Sequence, residues 1–104
     1  MRKTKPEGTP GSEILLEAYD LINGPRQKEY SHPLDDYTKV CDLFKAMTGI
    51  DLTVDQAILF MVCVKFARLR TNFSKGIIHY DSLVDAIGYL GCLSMAHAAR
   101  TDLK

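Results

Sequence analysis

Four charged residues in the second half of the chain are spaced for chemistry. Lys65 and Arg68 stand three apart in the apolar run ILFMVCVKFARL, and Asp81 and Asp85 stand four apart in HYDSLVDAIGY. Either spacing puts the pair on one face of a helix. An ammonium beside a guanidinium binds phosphate oxygens, and two carboxylates one turn apart hold a hydrated Mg2+. If both segments are helices joined by a short loop, they lie antiparallel. Centring that loop near residue 75 sets Arg68 opposite Asp81 and Lys65 opposite Asp85. Two readings follow. In one, the four groups line a polar pocket in which Asp81 and Asp85 are candidate catalytic carboxylates and metal ligands. In the other, they form two ion-pair rungs that only satisfy charges between helices, because an unpaired buried charge costs several kcal/mol. Asp81 has the further option of capping the last helix.

A second set precedes them. Arg26, Lys28, Tyr30 and His32 alternate along PRQKEYSH, and alternate residues of an extended segment point the same way. A guanidinium, an ammonium, a phenol and an imidazole together suit a nucleotide or another phosphorylated small molecule. Arg26, Tyr30, His32, Lys65 and Arg68 are therefore the candidate ligand contacts. The competing reading is a solvated loop with Tyr30 packed onto the helices. His79, two residues before Asp81, extends the candidate metal set to Asp81, Asp85 and His79, with His32 able to join it. His97 reads as a surface or packing residue. Nucleophilic catalysis is not indicated. Ser74, Ser82 and Ser94 have no adjacent base, and Cys41, Cys63 and Cys92 each fall inside an apolar helical pattern. Three widely spaced cysteines fit neither a disulfide framework nor a zinc motif, and read as buried thiols in a reducing compartment.

The elements that must position these groups are all helical. Ser12 is placed to cap a helix over 13–23, stopped by Asn23-Gly24-Pro25 with Gly24 in the left-handed conformation. Pro33 suits the first position of a helix over 33–48, with His32 or Ser31 as cap, Asp35 and Asp36 at its positive end, and Gly49 ending it. Thr53 and Gln56 are a capping-box pair for a helix over 54–71. That helix is apolar on every side except at Lys65 and Arg68, which predicts a buried, central helix. Residues 71–79 read as a loop and 81–99 as the last helix, where Gly88 and Gly91 let a neighbour approach closely. The expected fold is an all-α four-helix bundle: one domain over 12–100, a flexible tail over 1–11 and a short tail over 101–104. Bundles of this size commonly pair, so a homo-oligomer is expected.

Bulk composition narrows the partners. Thirteen basic residues balance thirteen acidic ones, which argues against a nucleic-acid partner that would need a basic excess. The longest apolar stretch is broken by Lys65 and too short to span a bilayer, and the polar N-terminus carries no signal peptide, so no membrane role and a cytoplasmic location are expected.

Three segments, GPRQKEYSHP, VKFARL and HYDSLVDAIGY, resemble a family of short uncharacterised bacteriophage and prophage proteins. The shared pattern places Arg-x-x-x-Tyr-x-His-Pro at Arg26, Tyr30, His32 and Pro33, Lys-x-x-Arg at Lys65 and Arg68, and Asp-Ser-x-x-Asp-x-x-x-Tyr at Asp81, Ser82, Asp85 and Tyr89. The resemblance implies an accessory protein working in the host cytoplasm. More distantly, the last helix is similar to the second metal-binding helix of MazG-type all-α nucleoside triphosphate pyrophosphohydrolases. Asp81 and Asp85 match acidic positions there, Ser82 replaces a glutamate, and Lys65 and Arg68 stand where those enzymes carry Glu-x-x-Glu. Three functions remain open at this stage. They are binding of a nucleotide or phosphorylated ligand, divergent Mg2+-dependent pyrophosphohydrolysis, and a non-catalytic interaction with a host protein.

Overall fold

The computed structural model describes residues 8–24 and 32–102. Four helices form, and no strand occurs among the described residues: α1 (Pro10–Asn23), α2 (Pro33–Thr48), α3 (Val54–Phe73) and α4 (Tyr80–Asp102).

Local sequence chemistry sets the ends. Thr9, not Ser12, caps α1: its hydroxyl accepts the Ser12 N–H at 3.1 Å, and the Ser12 hydroxyl accepts the Thr9 N–H at 2.7 Å. The reciprocal pair starts the helix three residues before the expected point, with Pro10 preset for the first turn. Gly24 ends α1 at φ −87°, outside the left-handed region. A side chain there is excluded for another reason: a Cβ would lie 2.6 Å from the Asp20 carbonyl oxygen. His32 caps α2, its Nδ1 accepting the Leu34 N–H at 3.1 Å, and Gly49 closes it at φ 77°. Thr53 and Gln56 form the expected capping box on α3. That helix runs on to Phe73 before the turn at Gly76, φ 73°.

The packing order differs from the sequence expectation. The central helix is α4, which packs against each of the other three, whereas α1 rests chiefly on α4. No residue of α4 from Ser82 to Tyr89 is exposed. Ile14 and Ala18 of α1 meet Val84 there, with Leu21, Leu83 and Ile87 around them, and Ile22 lies against Gly88 and Gly91. The apolar helix α3 is buried on one side only. Ala57, Ile58, Val62 and Leu69 face inward, while Phe60 is 66% and Phe66 51% exposed. Apolarity on all sides is the mark of a buried helix, and among the described residues only one face of α3 is covered.

Candidate functional site

The α3–α4 hairpin forms one of the two expected rungs. Lys65 Nζ lies 2.9 Å from Asp85 Oδ2, with the lysine 13% and the aspartate 36% exposed. The second rung does not close. Arg68 and Asp81 are both exposed, and the ion pairs among the described residues are Lys65–Asp85, Lys45–Asp51 and Arg100–Asp55. Both unpaired groups reach water, so neither needs a partner to avoid desolvation.

Asp81 and Asp85 do meet in a small polar cavity of about 290 Å3 between α1 and α4, lined also by Glu17, Leu21 and Val84. Glu17 was not singled out in the sequence. It reaches this place through the long-range packing of α1 on α4, which local spacing does not reveal. Its carboxylate accepts the Tyr80 hydroxyl at 2.8 Å, and that hydrogen bond holds the Tyr80 phenol above its usual range. Two of the three carboxylates are thus already engaged, Glu17 by a phenol and Asp85 by an ammonium. Among the described residues no three His, Cys, Asp or Glu side chains form a group able to hold a metal ion.

The histidines do structural work. His79 precedes α4, and its Nδ1 lies 2.7 Å from the Ser82 hydroxyl and accepts the Ser82 N–H at 3.3 Å. His79, not Asp81, is therefore the cap of α4, and Ser82 is its buried partner. His32 caps α2 by the same ring nitrogen. In both, the ring nitrogen that accepts the backbone proton is directed into its own helix. Tyr89 sits beside Tyr37 of α2, and burial together with Tyr89 and Cys92 pushes the Tyr37 phenol well above its ordinary range. Burial likewise raises the Cys41 and Cys92 thiols, which keeps them protonated and poorly nucleophilic. Cys63, expected to be buried, is exposed. Arg26, Lys28 and Tyr30 lie outside the described residues.

A further cluster escaped the sequence reading. Arg100 Nη2 reaches Asp55 Oδ2 at 2.8 Å and lies 3.3 Å from His97 Nδ1. The hydrogen bond from Arg100 holds the Asp55 carboxyl below its ordinary value. The register set by Lys65 and Asp85 puts Met95 opposite Asp55, five residues short of Arg100, so helical spacing alone does not find this pair.

A second surface is apolar. A groove of about 690 Å3 runs between α2 and α3, lined by Tyr37, Val40, Phe44, Leu52, Phe60 and Met61, with Asp36 and Gln56 among its few polar neighbours. Leu43 and Met47 of α2 are 64% and 83% exposed.

Sequence comparison places these features in a family. Residues 13–97 match the model of the domain of unknown function DUF6378. The chain belongs to the DUF6378 family. Similar proteins are the Gene 55 proteins of Mycobacterium phage D29, 33% identical over 81 residues, and of Mycobacterium phage L5, 31% identical over 81 residues. Each match covers 77% of this chain and about half of the relative, 50% and 49% respectively. No solved structure matches. This DUF6378 chain is thus a member of a phage protein family whose described residues form helices and no strand, and no helix among them is long and apolar enough to cross a membrane.

Proposed function

We propose that this DUF6378 chain is a non-catalytic interaction module whose working surface is the apolar face of α2 and α3. The observation that carries this reading is the open groove lined by Val40, Phe44 and Phe60. A groove between two helices accepts the apolar stripe of a third, and the binding free energy comes from removing that surface from water. A phage accessory protein acting on a host factor has this chemistry. The charged residues fit a supporting role here: Lys65–Asp85 holds the hairpin, and His32 and His79 start two of its helices. Replacing Phe60 by photoreactive benzoylphenylalanine tests the reading in cells. Discrete protein adducts are expected on irradiation, and adducts should also form with the probe at Val40. Irradiation that yields no adduct from either position would refute a working surface there.

A second reading is favoured by the cavity shared by Glu17, Asp81 and Asp85. Carboxylates repel a bare phosphate, but Mg2+ is commonly held by one or two carboxylates plus substrate phosphates. In this reading Asp81 and Asp85 bind a Mg2+–nucleotide complex. Lys65, Arg68 and the connector residues Arg26, Tyr30 and His32 meet its phosphates, a departure from the MazG type, which carries Glu-x-x-Glu at the first two of these positions. It predicts Mg2+- or Mn2+-dependent pyrophosphate release from some nucleoside triphosphate, or nucleotide-induced thermal stabilisation that Lys65→Ala abolishes. A panel of nucleotides that gives neither signal would exclude it.

A further inference from the structure

The outer face of α3 carries a strip with a regular spacing. Gln56, Leu59, Phe60, Cys63, Phe66, Ala67 and Arg70 are all exposed. Gln56, Cys63 and Arg70 recur every seven residues, as do Leu59 with Phe66 and Phe60 with Ala67. Three positions per heptad is the pattern of a helix that faces another helix. The strip has polar ends and an apolar middle, and it spans about 21 Å at 1.5 Å per residue.

The same strip is close to symmetric about Cys63. In an antiparallel crossing centred on that residue, Phe66 meets the partner's Phe60 and Ala67 meets the partner's Leu59. Arg70 meets the partner's Gln56. An aromatic pair, a large residue against a small one and a charged donor against an amide oxygen are all favourable, and each occurs twice. No like charges are opposed, because the two copies of Arg70 lie at opposite ends. A two-fold interface demands this kind of self-complementarity.

We infer that a second copy of this chain is the occupant of the α3 face, docked antiparallel about Cys63 through Phe60 and Phe66. This rests on the interaction-surface reading above and names its partner. Sedimentation equilibrium of the full chain at micromolar concentration should give a dimer. Phe60→Asp and Phe66→Asp should each weaken it by at least ~30-fold, the loss expected of an interface anchor. Both side chains point to solvent, so the far-UV circular dichroism of each monomeric variant should stay helical. A short bis-maleimide should join two copies of the chain through Cys63, and Cys63→Ser should abolish that adduct.

A chain that stays monomeric overturns the inference. So does a dimer that withstands both aspartates, or one that yields no Cys63-linked product. The two proposals fail separately. A monomer whose benzoylphenylalanine probe at position 60 still forms adducts with other proteins overturns self-pairing alone. A monomer with no adducts removes the interaction surface as well.

Discussion

The Lys65–Asp85 pair gives the sharpest energetic test of the hairpin. At 2.9 Å and an effective dielectric of about 20, the gross attraction is about 6 kcal/mol. Most of it is offset. Asp85 is 36% exposed and would be well hydrated alone, so solvent screening and desolvation leave a net coupling of about 1 to 1.5 kcal/mol. The two partners are not equivalent. Removing Asp85 leaves an ammonium on a lysine only 13% exposed, and the four-carbon stem lets it reach water only in part. Asp85→Ala should therefore cost about 1.5 kcal/mol, which lowers the melting temperature of a chain this size by about 6–12 °C. Lys65→Met keeps the volume, removes the buried charge and returns Asp85 to water, so it should stay within about 0.5 kcal/mol of the parent. In the Lys65→Met background, Asp85→Ala should cost less than about 0.5 kcal/mol, because the charge it would orphan is gone. Urea unfolding followed at 222 nm gives all four corners of the cycle. Equal costs for Asp85→Ala in the two backgrounds would refute the reasoning and leave the pair a geometric coincidence.

Other perturbations probe the remaining contacts. Gly88→Ala places a methyl group in ordinary contact, 4.0 Å from Ile22, and should stabilise by about 0.5–1 kcal/mol through helix propensity. Gly91→Ala puts its methyl 3.0 Å from the tip of the same side chain, so it should gain less, a difference that paired thermal melts resolve. His79→Ala removes the cap of α4 and should cost about 1 kcal/mol, and His79→Asn should recover most of it; a stability equal to the parent for His79→Ala would show that the cap contributes nothing. Asp55 has its carboxyl held below the ordinary value of 3.8 by Arg100, so its contribution is present above that pH and is lost as pH falls through the lower folded value. With both side chains about a third exposed, that contribution is under about 1 kcal/mol. Asp55→Asn should lower the urea midpoint at neutral pH and flatten its fall below pH 3.8, and an unchanged acid slope would count against the pair.

Helix existence was legible in the sequence wherever the signal was local. Pro33 with His32, Gly49, and Thr53 with Gln56 mark ends that need only neighbouring residues, and the structure places them as expected. The start of α1 was misplaced because Thr9 and Ser12 can each cap, and the sequence does not show that they cap reciprocally. The rung from Lys65 to Asp85 was readable because a short connection fixes the register of two consecutive helices. Its companion failed because Arg68 and Asp81 sit beside the connecting turn, where each is solvated without the other. The identity of the central helix was not readable at all. Hydrophobicity pointed to α3, yet α4 is the enclosed one, with small residues such as Ala86, Gly88 and Ala96 doing what large apolar ones do elsewhere. Glu17 was likewise out of reach, since it joins Asp81 and Asp85 only across the whole length of the fold.

That α1 rests chiefly on α4 has a consequence for the way the chain is made. Glu17 and its partner Tyr80 are 63 positions apart. At roughly 5–20 residues per second, a ribosome needs about 3–13 s to add the intervening chain. Through that interval Ile14 and Ala18 have no surface to pack on, although their helix is already translated. The α3–α4 hairpin, by contrast, has both halves available almost together. Assembly during synthesis therefore runs against chain order: the earliest helix docks last, onto a platform built from the latest.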